Sequence, residues 1–117
     1  MSDGPILLKS KTFALQVIEI YKYLVEEKRE YVLSKQFLRS GTSIGANARE
    51  GARAQSKPDF ISKMSIALKE ADETMYWIEL LTESKYLDKD MALSAQNSCN
   101  ELIRILVSIV KTSRQNE

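Results

Sequence analysis

The stretch RSGTSIGANAREGARAQSK, residues 39–57, decides between two descriptions of this chain. It holds three of the four glycines and resembles either a phosphate-binding loop or an unusual helix. A Walker-type loop requires Gly-x-x-x-x-Gly-Lys-Ser/Thr. Here Gly41 and Gly45 are too close together, Gly45 and Gly51 are too far apart, and no glycine precedes a lysine. The stretch is therefore predicted to be helical.

On a helix, this part of the chain presents three different surfaces. Apolar side chains form a core face. Beside it lies a small-residue strip. Opposite the core lies a basic ridge. The core face consists of Leu33, Phe37, Ile44 and Ala48, the small-residue strip of Gly41, Gly45, Ala48 and Ala52, and the basic ridge of Lys35, Arg39, Arg49, Arg53 and Lys57.

The small-residue strip requires an explanation, because three interior glycines cost a helix up to about 3 kcal/mol relative to alanine. Small residues at four-residue spacing allow a second helix to approach closely. The alternative is that the glycines only fit a crowded bundle interior, and the sequence does not separate the two. Asn47 borders the core face, and we expect it to hydrogen-bond across helices.

The basic ridge lies in the most basic part of the chain. Residues 31–63 carry six basic and two acidic groups, whereas residues 64–117 carry six basic and nine acidic groups. Charge runs are often only solvated faces. Three of the five ridge residues are arginines, which pair with phosphate through two hydrogen bonds. The ridge is therefore a hypothetical nucleic-acid contact surface, and a solvated face is its alternative.

Helical periodicity also marks the rest of the chain. Residues 58–84 alternate apolar side chains by three and four, and Ser56, Pro58 and Asp59 are typical of a helix start. We predict helices over about 10–28, 31–55, 58–84 and 88–114, with Asp88 as an N-cap. Together they predict an all-α fold, a single antiparallel up-down-up-down four-helix bundle over residues 1–117.

The fourth helix points to a partner. Its segment LIRILVSIV, residues 102–110, is apolar on nearly every side. A helix that is apolar all round must be buried all round. In a domain this small, we expect a second subunit to cover the outer side.

Catalytic chemistry has little support in the sequence. There is no histidine, which removes the usual general base and the histidine ligands of metal sites in bundles. We interpret Cys99 as a core thiol, Glu70 and Glu73 as a solvated face, and Trp77 with Tyr76 as core or interface residues. We expect no catalytic residue, no metal and no cofactor. The single cysteine and the lack of a long apolar run favour a cytoplasmic protein without a membrane partner.

Two segments carry a resemblance to a known family: SKQFLRSGTSIGANAREG, residues 34–51, and DFISKMSIALKEADETMYWIELL, residues 59–81. They resemble the four-helix bundle proteins encoded in bacterial 23S rRNA intervening sequences. The accessory protein of diversity-generating retroelements is similar. The resemblance implies a barrel-like homopentamer, and it implies a structural motif at Asn47, Glu50 and Gly51. The retroelement relative binds nucleic acid and a reverse transcriptase, whereas this chain is nearly neutral, with a net charge of +1.

Two functional hypotheses follow. The first is a non-enzymatic homo-oligomer, a pentamer by resemblance, that binds RNA or a nucleic-acid-processing protein through the ridge on the second helix. The second is a protein-interaction scaffold without nucleic-acid binding, in which the ridge contacts an acidic helix of a neighbouring subunit or partner.

Overall fold

The computed structural model describes residues 4–116, which form four helices and, within that range, no strand. The helices are α1 (Gly4–Glu26), α2 (Leu33–Ala52), α3 (Lys57–Glu83) and α4 (Lys89–Gln115). Each helix packs against two others, in the pairs α1 with α2, α2 with α3, α3 with α4, and α1 with α4. The result is an all-α four-helix bundle that measures 47 × 19 × 19 Å.

Apolar stripes explain why these helices pack into one core. The stripes recur at spacings of three and four residues, as side chains on one face of a helix must. On α1 the buried residues are Ile6, Ser10, Phe13, Val17, Ile20 and Leu24. On α3 they are Ile61, Met64, Ala67, Ala71, Thr74, Ile78 and Leu81.

The second helix differs from its neighbours because small residues make up most of its buried face. Its only large buried side chains are those of Phe37 and Ile44, and the remaining buried residues are Ser34, Ser40, Gly41, Ala48 and Gly51. A helix with so little side-chain volume toward the core brings its backbone close to its neighbours.

The predicted bounds of two helices are wrong. The first helix begins at Gly4 rather than near residue 10, because Pro5 suits a first turn and buried Ile6 continues the apolar stripe. The second helix spans 33–52 rather than 31–55. It ends early because the N–H of Arg53 bonds to the carbonyl of Glu50 and the N–H of Ala54 bonds to that of Gly51, in a tighter turn that closes the helix. The predicted caps Ser56 and Asp88 are confirmed, since each side chain accepts a backbone hydrogen bond at its helix start.

An unusual cap explains where α2 begins. The Glu30 carboxylate accepts hydrogen bonds from the N–H groups of Val32, Leu33 and Ser34, at 2.6–3.1 Å. Burial of Glu30 raises its pKa, but these hydrogen bonds outweigh burial and lower the pKa below its ordinary value of 4.5. An ionised carboxylate at a helix N-terminus also interacts favourably with the helix dipole.

Replacing Glu30 tests this cap. We expect Glu30→Gln to lower the free energy of unfolding near pH 7 by about 1–2 kcal/mol. Because the pKa of Glu30 is lower in the folded state, its contribution is complete above about pH 4.5 and is lost as the pH falls further. Urea unfolding should therefore show a smaller difference between variant and wild type near pH 3 than near pH 7. An equal difference at both pH values would contradict the cap.

Replacing Gly41 tests the close approach of α1 and α2. A Cβ atom on Gly41 would lie 2.7 Å from Val17 Cγ2 and 2.9 Å from Val17 Cγ1. Val17 is buried and stiff at χ1, so it cannot move aside easily. We expect Gly41→Ala to destabilise the protein by about 1–2 kcal/mol in urea unfolding, despite the better helix propensity of alanine.

The matched control is Gly45→Ala on the same helix. Its Cβ would lie 3.2 Å from the Ser10 hydroxyl oxygen, a contact that a small rotation relieves. We expect this variant to be close to neutral, since its propensity gain offsets the crowding. Equal stability of the Gly41→Ala variant and the wild type would refute close packing at Gly41.

Candidate nucleic-acid interface

The five residues of the basic ridge are all exposed, but they do not share one helix. Lys35, Arg39 and Arg49 lie on α2, Arg53 is its C-cap residue, and Lys57 begins α3. The prediction of a continuous ridge on the second helix is therefore wrong. The physical reason is the early end of α2 after Ala52, which turns the chain before Lys57.

Arg39 is neutralised by the neighbouring helix. Its Nη1 lies 3.2 Å from Glu70 Oε1, and its Nη2 donates to Glu73 Oε2. The hydrogen bond to Glu73 is the main reason why the pKa of Arg39 is raised. Glu70 and Glu73 were predicted to form a solvated face. Instead, they are the acidic partners of Arg39.

Trp77 completes this contact between α2 and α3. Its indole Nε1 donates to Glu73 Oε2 at 2.9 Å, and this bond is the main cause of the lowered Glu73 pKa, with Arg39 contributing. Trp77 is half-buried and its ring centroid lies 5.3 Å from that of Tyr76. The carboxylate of Glu73 is therefore shared by two donors, and the charge of Arg39 is neutralised within the subunit.

Lys57 is also engaged within the subunit. Its Nζ donates to the backbone carbonyl of Asn116 at 2.8 Å. Asn116 is the C-cap residue of α4, where a cation interacts favourably with the helix dipole. Lys57 thus connects the start of α3 with the end of α4.

Arg49 and Arg53 instead border a groove that α1, α2 and the start of α3 form together. We call this space of about 820 Å³ the basic groove. Four cationic side chains line it, with Lys11 contributed by α1 and Lys63 by α3. Its charged lining residues are Lys11, Arg49, Arg53, Lys63, Glu50 and Asp59.

The charges in the basic groove are unevenly paired. Lys63 Nζ lies 3.0 Å from Glu50 Oε1, and the hydrogen bond and charge of Glu50, together with the charge of Asp59, raise the Lys63 pKa. Both carboxylates of the groove therefore act on Lys63. Within residues 4–116, Lys11, Arg49 and Arg53 form no ion pair. Three cations are left for an anionic ligand.

One residue of the small-residue strip, Gly45, lines this groove. Gly41 and Gly45 face α1, where Val17 and Ser10 are the nearest side chains, and Gly45 lies on the groove wall together with exposed Ala46. Ala48 is fully buried and Ala52 is half-buried. Larger side chains at positions 45 and 46 would fill the space between Lys11 and Arg49.

Residues of the proposed structural motif lie at the contact with α3. Glu50 binds Lys63, and a Cβ on buried Gly51 would lie 3.1 Å from side-chain atoms of both Lys63 and Met64. Asn47 behaves differently from our expectation. Its Nδ2 donates to the Ser43 carbonyl at 2.9 Å, within α2 rather than across helices, because side chains on a helix point back toward its N-terminus.

Sequence analysis did not identify Lys11 and Lys63 as part of the site. Both look like ordinary solvated lysines in amphipathic helices. One signal could have indicated Lys63: the short connection between α2 and α3 places the end of one helix beside the beginning of the next, here Glu50 beside Lys63. The place of Lys11 in the site is evident only once α1 is packed onto the small-residue strip.

The other chemically interesting residue is Cys99. It is buried, its Sγ donates to the Ala71 carbonyl at 3.3 Å, and burial, together with the charge of Asp72, raises its pKa to about 12. The interpretation of Cys99 as a core thiol is confirmed. Among the described residues, no cluster of acidic and cysteine side chains has the arrangement of a metal site.

No helix within residues 4–116 combines the length and the apolar content that crossing a membrane requires.

Fold and groove together define a small all-α bundle with a cationic cleft beside a glycine-containing helix. The comparisons with known proteins agree with the all-α fold. The family model of the 23S rRNA-intervening sequence protein matches residues 3–108. The chain therefore belongs to the 23S rRNA-intervening sequence protein family.

A solved structure supports the same assignment. The chain is similar to a protein of unknown function from the S23 ribosomal protein family of Bacteroides thetaiotaomicron, with 50% sequence identity and a TM-score of 0.91. The similarity covers 95% of this chain and 99% of that one. A comparison with curated proteins gives no significant match.

The pairing of Arg39 predicts a small loss of stability on its removal. We expect Arg39→Gln to lower the free energy of unfolding by roughly 0.5–1 kcal/mol, because half-exposed ion pairs are screened by solvent. The matched control Lys35→Gln removes an exposed cation that forms no ion pair within residues 4–116, and should change stability by less than about 0.5 kcal/mol. Urea unfolding measures both, and equal effects would contradict the assignment of Arg39 to the contact with α3.

Proposed function

We propose that this protein is a non-enzymatic, cytoplasmic homo-oligomer that binds RNA through the basic groove. One observation carries the proposal: Lys11, Arg49 and Arg53 surround a groove without ion-pair partners among residues 4–116, while Arg39 is neutralised. Unpaired arginines beside a concave surface suit the phosphates of a nucleic-acid backbone. The family name, which refers to ribosomal RNA, is consistent with such a ligand.

The helices are proposed to run in an antiparallel, up-down-up-down order. Contacts between successive helices support it, because residue numbers rise on one helix as they fall on the next. Ser10 lies beside Gly45, and Val17, seven residues further along α1, lies beside Gly41. Likewise, Thr74 donates to Ser40, whereas Lys63 pairs with Glu50.

Assembly into a barrel-like homopentamer is proposed from the family resemblance and from unburied apolar surface. On α1, Leu8 is 71% and Leu15 is 56% exposed, and Val107 of the apolar segment in α4 is 46% exposed. An open apolar crevice of about 530 Å³ also separates the first turn of α1 from Ile105 and Ile109 of α4. Apolar surface of this kind is typical of a subunit interface.

Native mass spectrometry with absorbance at 260 nm tests the assembly and its ligand together. We expect five copies of the 13.3 kDa subunit, with co-purifying nucleic acid. A monomeric mass would overturn the assembly.

The salt dependence of RNA binding tests the groove. If Lys11, Arg49 and Arg53 each contact one phosphate, log K should fall with log salt at a slope of about −2 to −3 per subunit. The double variant Arg49→Glu with Arg53→Glu should abolish binding, whereas Lys35→Glu, a single charge reversal at an exposed site outside the groove, should affect it little. A flat salt response, or no binding at low salt, would refute RNA binding.

The alternative function is a protein-interaction scaffold. It is favoured by the contact of Arg39 with Glu70 and Glu73, which demonstrates that cations of α2 complement the acidic face of α3. If the scaffold function is correct, the double variant at Arg49 and Arg53 dissociates the oligomer. The RNA-binding function instead expects this variant to lose RNA binding. Light scattering on the same variant separates the two functions.

A further inference from the structure

The shape of the basic groove restricts which nucleic acid can enter it. The groove follows the seam of two helices that pack unusually closely, since Gly41 and Gly45 leave room for Val17 and Ser10 of α1. Packed helices lie about 8–10 Å apart, and small residues bring them to the near end of this range. A nucleic-acid duplex is roughly as wide as the whole bundle, whose shorter dimensions are 19 Å, and cannot enter such a seam.

The cations of the groove are spaced so that a single sugar–phosphate backbone can contact them. Arg49 and Arg53 are four residues apart, so they lie about 6 Å from each other along the axis and on the same side. Lys11 reaches the same space from the opposite wall, on α1. A single sugar–phosphate strand that follows the seam would meet both arginines on one side and the lysine on the other.

Within residues 4–116, the uncharged lining of the groove offers no aromatic ring on which a base could stack. No aromatic side chain among the described residues lines it, and the uncharged lining residues are small, aliphatic or hydroxylic, apart from Gln55. Proteins that hold bases of single strands usually stack them on aromatic rings. This lining favours contacts to the sugar–phosphate backbone over stacking with particular bases.

We propose that the basic groove binds one unpaired nucleic-acid strand by its phosphates and excludes duplexes. Arg49 and Arg53 each bind a phosphate through their guanidinium forks, Lys11 provides a third contact, and small residues at positions 45 and 46 provide the space. This inference rests on the proposed function and specifies its ligand as single-stranded.

The experiment compares two probes and a variant that fills the groove without changing its charge. The probes are a fluorescent oligouridylate of about 20 nucleotides, which stacks little, and an RNA duplex of about the same length. Ala46 is exposed and lines the groove, so Ala46→Leu fills the space, while Ala46→Ser is the matched control of nearly unchanged size. Ala14→Leu fills the same groove from α1, should the first variant fold poorly.

We expect the wild type to bind oligouridylate at least about tenfold more tightly than the duplex in low salt, with a log–log salt slope near −2 per subunit. Ala46→Leu should weaken oligouridylate binding by about fivefold or more, and Ala46→Ser should not. Melting temperature and scattering mass should stay unchanged in both variants.

The other outcomes are distinguishable. Tighter binding of the duplex, or full binding by both groove-filling variants while the Arg49/Arg53 double variant fails to bind, overturns the single-strand groove but leaves RNA binding intact. Loss of oligomer mass in the groove-filling variants identifies the groove as a subunit contact and also overturns the inference. Binding of neither probe refutes the proposed function itself.

Discussion

The close contact of Gly41 with Val17 is the constraint on which the rest of this structure depends. No side chain fits at position 41, since a Cβ on Gly41 would lie 2.7 Å from Val17 Cγ2. Because most buried residues of α2 are small, the backbones of α1 and α2 can approach each other closely. The same choice of small residues leaves the space further along the seam that Gly45 and Ala46 line. Stability and a concave surface thus come from the same few residues.

Electrostatics then divides the cations of α2 into two groups. Arg39 faces the acidic turn of α3 and is held by Glu70 and Glu73, so it acts within the fold. Arg49 and Arg53 lie beyond the reach of that turn and border the basic groove. A nearly neutral protein can in this way keep a local cationic surface, because the basic groove holds four cations against two carboxylates while Glu70 and Glu73 lie outside it.

Much of the fold could be predicted from the sequence, because helix periodicity and caps are local signals. The stripes of α3 and α4 and the caps at Ser56 and Asp88 are examples. The beginning of α1 was not predicted, since a short apolar run after a glycine and a proline looks like a loop. The family could be recognised from the glycine-containing segment, and residues 3–108 match its model.

The site was harder to predict because it is assembled from three helices. A helical wheel places Arg39 and Arg49 on one ridge, yet it contains no information about the helix that faces each residue. The neutralisation of Arg39 requires the position of Glu70 and Glu73 on α3. The contribution of Lys11 requires the packing of α1 on α2. Both are properties of tertiary structure rather than of any single segment.

The most direct test of this account is ultraviolet crosslinking of oligouridylate to the native protein, followed by mass spectrometry of the crosslinked peptides. The account predicts crosslinks from both walls of the basic groove, within residues 7–14 and 42–55. Crosslinks confined to α4 or to the surroundings of Lys35, or the absence of any crosslink, would contradict it.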